Sequence, residues 1–212
     1  MNPDTEDLLP DDVVSDLLTR WNEPHRHYHG VSHLQHGLMA LDKLGGTRVE
    51  RIAFWFHDAV HSNNTPTDER ASADLVRLLL TGRESPQSIA EIQRLVLLTA
   101  GHHTESDDAS GQRLCDADLS GLGADHATYR HNVAGIRAEM PHLTDGEWSV
   151  GRGAFLSRFL ERKHLFATGA GRQLWEQNAR GNLEKELLDL RSHQAGRGPA
   201  LELTREHDSM ER

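Results

Sequence analysis

The residues of this chain best suited to chemistry are histidines and aspartates in three separate segments: Tyr28-His29-x-x-x-His33, His57-Asp58 and Asp116-Ala117-Asp118-Leu119-Ser120. Two or three imidazoles and two or three carboxylates from these segments could converge on one divalent cation. Mixed nitrogen and oxygen donors suit manganese, iron, nickel, cobalt, zinc or magnesium, and the donor list alone selects none of them. A cation held this way lowers the pKa of a bound water and polarises a phosphoryl oxygen. The residue types therefore point to a metal-dependent hydrolase. The bare dipeptide His-Asp is a weak signal, since His207-Asp208 repeats it near the C-terminus; the ordered combination is the informative feature.

Most of the 15 histidines are expected to lie outside the site. His126, His131, His142, His193 and His207 have polar neighbours, His25 and His27 read as loop residues, and His103 as solvent-facing. His36 shares a helical face with His33 at i+3 but is not counted as a ligand. His102 is open to two readings, a second-metal or phosphate contact and a histidine placed at a helix C-terminus, where the dipole favours its charged form. Glu69 can fix the tautomer of a ligand histidine or simply supply negative charge to a helix N-terminus. Arg26, Arg137 and Arg152 are candidates for phosphate contact through the guanidinium fork, each open also to a structural ion pair. Cys115 reads as a small core residue, and Phe54-Trp55-Phe56 as core.

These residues must be positioned by helices, because apolar residues recur at helical spacing and strand signals are nearly absent. A first helix is expected from a cap at Asp11 or Asp12 through Trp21. A second is expected from a Ser32 cap to Gly45-Gly46, placing His29 just before it and His33 at its start. Thr47 and Glu50 form a capping-box pattern ahead of Ile52-Ala-Phe-Trp-Phe56, apolar nearly all round and hence a buried helix carrying His57 and Asp58 at its end. Burying those two polar side chains calls for a partner, and a metal is one. Further helices are expected over 69–80, from Ser85-Pro86 to Gly101, over 114–122, from an Asp125 cap to Met140, from Thr144 to about Lys163, and over 172–190. Glu105–Gln112 reads as a surface loop.

Composition sets the outer bounds. A chain of 212 residues can bury a core as one domain. A formal charge of −10, from 23 basic and 33 acidic residues, argues against broad nucleic-acid binding. One cysteine allows no internal disulfide. The acidic start MNPDTEDLLPDD lacks the features of a signal peptide, no apolar run reaches the length of a membrane span, and a cytoplasmic setting with no membrane partner is expected.

The ordered set of segments resembles the HD-domain superfamily of metal-dependent phosphohydrolases, and more closely a bacterial branch with an Arg-x-Tyr-His-x-x-x-His start. The resemblance runs through Trp55-Phe-His-Asp-Ala-Val60, Glu69-Arg-Ala-Ser-Ala73, Thr99-Ala-Gly-His102, Asp116-Ala-Asp-Leu119, Ile136-Arg-Ala-Glu139, Gly151-Arg152 and Asn182–Leu187, about residues 10 to 192. His61 stands where the resemblance would have a tyrosine, and Asp68 where it would have an asparagine. The resemblance implies an all-α bundle of the HD type over 11–192, with an N-terminal extension over 1–10 and a disordered tail over 193–212. It implies His33, His57, Asp58 and Asp118 as metal ligands for one or two divalent ions, Asp116 being the rival of Asp118, and His29 as proton donor. Asp58 or Asp118 would orient the attacking water. The substrate it implies is a nucleotide or another small phosphate ester. The same resemblance leaves a di-iron oxygenase and a non-catalytic nucleotide sensor as alternatives.

Overall fold

The computed structural model describes residues 8–196, with side chains described as far as 192. The acidic segment before residue 8 and the tail from 197, with His207-Asp208, lie outside the described residues. Residues 193–196 continue the last helix. Leu8 and Leu9 are buried and join the core.

The protein is all-helical, with no strand among the described residues. Helix α1 (Asp11–Trp21) buries Val13, Leu17 and Trp21 on one face. Pro10 holds its N-cap position, so Asp11 and Asp12 sit in the first turn, where their charge favours the dipole without capping a donor. Helix α2 (Val31–Lys43) has Gly30 at the N-cap and no side-chain cap; Ser32 lies inside the helix. It ends in a Schellman motif: Gly45 adopts φ 70°, Gly45 N donates to Asp42 O, and Gly46 N donates to Leu41 O. Helix α3 (Arg48–Phe56) carries the capping box of Thr47 and Glu50, and every residue from Ile52 to Phe56 is buried.

Helices α4 (Thr67–Leu80) and α5 (Pro86–Leu98) follow, the second capped by Ser85. Helix α6 (Ala109–Asp118) begins inside the stretch expected as loop, because Asp108 accepts a hydrogen bond from Gly111 N and pairs with Arg94. It runs into a 3-10 turn, Leu119–Gly123. Helix α7 (His126–Ala138) is capped by Asp125, and α8 (Asp145–Leu160) by the Thr144–Glu147 box. A short turn α9 (Gly169–Gly171), a π-helical segment (Arg172–Glu176) and α10 (Gln177–Gly196) complete the chain.

Two apolar cores result. The first joins α1 to α6, with Trp21, Leu41, Ile52, Phe54 and Phe56 essentially inaccessible. Each such side chain contributes about 1.5–3 kcal/mol of burial. The second gathers Tyr129, Leu156, Phe159, Phe166, Ala179 and Leu183 from the C-terminal half. Trp175 packs against both. One polar lock fixes helix register: the buried Glu50 carboxylate accepts a forked pair of hydrogen bonds from Arg113, at 2.6 and 2.9 Å. Burial pushes the Glu50 carboxyl up, but Arg113 outweighs it and holds the group below its ordinary value. This ties the start of α3 to α6, the two helices whose C-terminal ends carry His57-Asp58 and Asp118. No helix among the described residues is long and apolar enough to cross a membrane.

Candidate metal centre

Four donor atoms meet where α2 begins and where α3 and α6 end. His33 Nε2 lies 3.2 Å from His57 Nε2 and 3.0 Å from Asp118 Oδ1. His57 Nε2 lies 3.1 Å from Asp58 Oδ2 and 3.3 Å from Asp118 Oδ1, and His33 Nε2 lies 3.9 Å from Asp58 Oδ2. A cation about 2.1 Å from each donor holds adjacent donors about 3.0 to 3.4 Å apart, the spacing seen around His57; the donor atoms of His33, His57 and Asp58 all lie within 4.8 Å of one another, and Asp118 Oδ1 adjoins both histidines. The donors are well shielded, His57 being 1 % and His33 5 % exposed at the side chain.

Hydrogen bonding points to the same need. His57 Nδ1 donates to Phe54 O at 2.8 Å, which leaves Nε2 with its lone pair facing two carboxylates unless a cation or a proton intervenes. The backbone carbonyl thus sets the tautomer, a role that second-sphere groups of metal-binding histidines commonly fill. In the metal-free chain burial would lower the His57 pKa, but Asp58 and Asp118 outweigh it and raise the group well above its ordinary value. Burial, with the neighbouring His57 charge, keeps His33 below its ordinary value. Burial would raise both carboxyls, yet His57 holds Asp58 low, and His57, His102 and His33 hold Asp118 well below the usual range.

Asp116 does not join them. Its carboxylate accepts from Ala167 N, Thr168 N and Thr168 Oγ1 at 2.6–2.8 Å, fixing the turn before α9. Asp116 and Asp118 are two residues apart near the end of a helix and so face different neighbours. His102 reaches the second oxygen of Asp118, Nε2 to Oδ2 at 2.7 Å. It does so from the left-handed backbone region, φ 51°, which is sparsely populated for a residue with a side chain. Asp118 therefore presents one oxygen to the donor cluster and the other to a third imidazole.

His29 stands beside this cluster, its ring 5.7 Å from that of His33. Its partner was missed by sequence reasoning: His29 Nδ1 lies 2.6 Å from Glu139 Oε2. The other oxygen of Glu139 accepts the backbone N–H groups of His27, Tyr28 and His29, at 2.7–2.8 Å. A carboxylate at the end of α7 thus organises the whole 27–29 turn. Burial opposes the His29 imidazolium, but Glu139 and Asp58 outweigh it and raise its pKa; burial likewise opposes the Glu139 anion, and His29 and His61 hold it far below its ordinary value. The only signal was Ile136-Arg-Ala-Glu139 within the resemblance, to which no role attached. His61 stacks on His29 at 4.2 Å, with Nε2 3.5 Å from Glu139 Oε2 and without a hydrogen bond.

A cavity of about 650 Å³ opens on these groups. His29, His33, Asp58, His102 and Asp118 line it, as do Leu122, Ile136, Trp148 and Phe155. The three arginines that were candidates for phosphate contact hold structural partners instead, the other reading open to each. Arg26 is buried and donates to His29 O, Asp58 O and Ala59 O, clamping two segments of the site by their carbonyls. Arg137 closes the end of α7 by donating to Met140 O and Leu143 O. Arg152 lines the cavity, but its guanidinium is paired with Glu186 and Tyr129. Glu69 also lines the cavity; it accepts from Thr65 Oγ1 at 2.8 Å and from no histidine among the described residues. Asp68 holds the turn at Ser62 and Asn64. His25, His27, His36 and His103 are exposed. Compared with protein-family models, with curated proteins and with solved structures, the chain gives no match in any of the three.

Proposed function

We propose that the chain is a metal-dependent phosphohydrolase of the HD type, acting on a small phosphate ester, with a nucleotide as one such ester. The observation that carries the reading is the gathering of His33, His57 and Asp58 donor atoms within 4.8 Å of one another, with Asp118 Oδ1 at 3.0 and 3.3 Å from the two histidines, beside a large cavity. A bound divalent cation would supply Lewis acidity toward a phosphoryl oxygen and a lowered pKa for an attacking water. The chain's own residues do the rest. Asp58 and Asp118 line the cavity and can accept a hydrogen bond that orients that water. His29, with Nδ1 committed to Glu139, keeps Nε2 to give a proton to the leaving alkoxide. Glu139 acts through His29, holding its ring and favouring the protonated form.

Metal analysis of the purified protein, joined to a phosphate-release screen over nucleotides, cyclic nucleotides and sugar phosphates, tests this reading. The screen is run with manganese, cobalt, nickel and magnesium on the natural chain and on Asp58→Ala. The expected outcome is a stoichiometric divalent metal and turnover of at least one ester, lost in the variant. Absence of any bound metal sinks the reading. His102 on the second oxygen of Asp118 leaves room for a second ion; bound iron with oxygen consumption and no phosphate release would replace the hydrolase by a di-iron oxygenase.

A further inference from the structure

The cavity is large enough for a whole small ligand, so the part of the ester that does not react must also be recognised. Its lining divides by chemistry. Imidazoles and carboxylates line it at the donor cluster, Glu147 joins them from the first turn of α8, and Leu122, Ile136, Trp148 and Phe155 supply apolar surface. Two guanidinium groups line it, Arg152 and Arg158. Arg152 is consumed by Glu186. Arg158 is exposed and makes no hydrogen bond or ion pair among the described residues; its guanidinium lies over the Phe159 ring, 5.9 Å away.

Arg162, one helical turn on, stacks on the same ring at 4.2 Å and turns its donors to Gly101 O and His102 O. Two like charges at i, i+4 repel, and neither makes an ion pair with a carboxylate among the described residues, although Glu161 lies between them in the chain. In a chain of net charge −10, two neighbouring arginines that make no ion pair among the described residues, one of them lining a cavity, are out of keeping with their surroundings. The dipole at the end of α8 favours a cation there, which accounts for one arginine but not for its unpaired place in the cavity lining. Nor does Arg158 make a hydrogen bond or ion pair with any residue of the donor cluster among the described residues, which leaves its guanidinium free for a group other than the reacting phosphoryl.

We propose that Arg158 anchors a second anionic group, a phosphate or a carboxylate, on the far end of the ester whose phosphoryl group reacts at the donor cluster. This rests on the phosphohydrolase reading and names the class of ester that the site selects: one with two anionic ends and an apolar or aromatic body between them. The guanidinium fork suits either anion, and binding it relieves the repulsion from Arg162.

Calorimetric titration of the manganese-loaded protein with non-hydrolysable phosphonates tests this without turnover. Three probes of matched chain length are compared over a ladder of lengths: an alkylphosphonate, an ω-carboxyalkylphosphonate and an alkanediyl bisphosphonate. The expected result is that at one length a doubly anionic probe binds about tenfold tighter than the alkylphosphonate, the order of one charge-assisted contact. Arg158→Gln removes that advantage and Arg158→Lys keeps part of it; the better of the two doubly anionic probes identifies the anion. Equal affinity of single and double anions for the natural chain, or an advantage that survives Arg158→Gln, overturns the proposal. A protein that holds manganese yet binds no phosphonate of any kind overturns the phosphohydrolase reading as well.

Discussion

Glu139 accepts three backbone N–H groups and faces the imidazoles of His29 and His61, so its charge acts on the shape of the 27–29 turn and on the proton of His29 at once. The two effects separate by pH. His29 is raised above its ordinary 6.5, so its contribution to stability is full below about that value and fades as pH rises through the folded pKa. Glu139 is held below its ordinary 4.5, so its contribution is full above about that value and fades as pH falls toward the folded pKa. The pair therefore stabilises most between about 4.5 and 6.5. If His29 is the proton donor, His29→Ala lowers kcat by about 10²-fold or more. Glu139→Gln costs less and shifts the alkaline limb of the pH–rate profile toward lower pH, with metal content unchanged. An unmoved limb would reduce Glu139 to a structural brace. The donor histidines and aspartates were legible from residue type and order. A structural role for the arginines was legible too, but not their partners, because Arg152 finds Glu186 and Arg26 finds the Asp58 carbonyl more than 30 residues away. Glu139 was hidden for the same reason, its partners lying 110 to 112 residues back.

The donors are only as well placed as the helices that end beneath them. Gly37 shows how closely α2 and α3 approach: a Cβ there would sit 1.8 Å from Phe54 Cζ. Phe54 also supplies the carbonyl that orients His57. A glycine inside a helix costs about 1 kcal/mol relative to alanine, which contact with a buried ring offsets. Gly37→Ala should therefore destabilise the fold by about 1–3 kcal/mol through overpacking, and should weaken metal affinity by more than an equally destabilising change elsewhere in the first core. Denaturant melts paired with metal titration check this; unchanged affinity would uncouple Phe54 from the site. Helix boundaries were legible wherever a cap was written locally, as at Thr47, Ser85, Asp125 and Thr144. They slipped at Ser32, where Gly30 takes the cap position, and at Asp108, whose cap is reinforced by Arg94 of another helix. Local chemistry announces a helix start, whereas tertiary partners decide among nearby candidates.

For the molecule as a whole, a bound cation is a linkage term. A divalent ion present at about 100 times its Kd adds about 2.7 kcal/mol to the stability of the chain. In a protein of this size that raises Tm by about 5–10 °C. Manganese addition, chelator addition and the Asp118→Asn variant, followed by calorimetry, should give a rise, its reversal and its absence. A Tm indifferent to every divalent ion would leave the donor cluster without its proposed role. The cavity itself draws on both cores: the donors hang from helices of the first, while Phe155 and the neighbours of Arg158 belong to the second, and Trp175 touches each. That division has an evolutionary reading. If the proposed function holds, substitutions in α7 and α8 would change which molecule is admitted while leaving the donors in place, so descendants of one ancestral chain could diverge in diet and still share the same hearth.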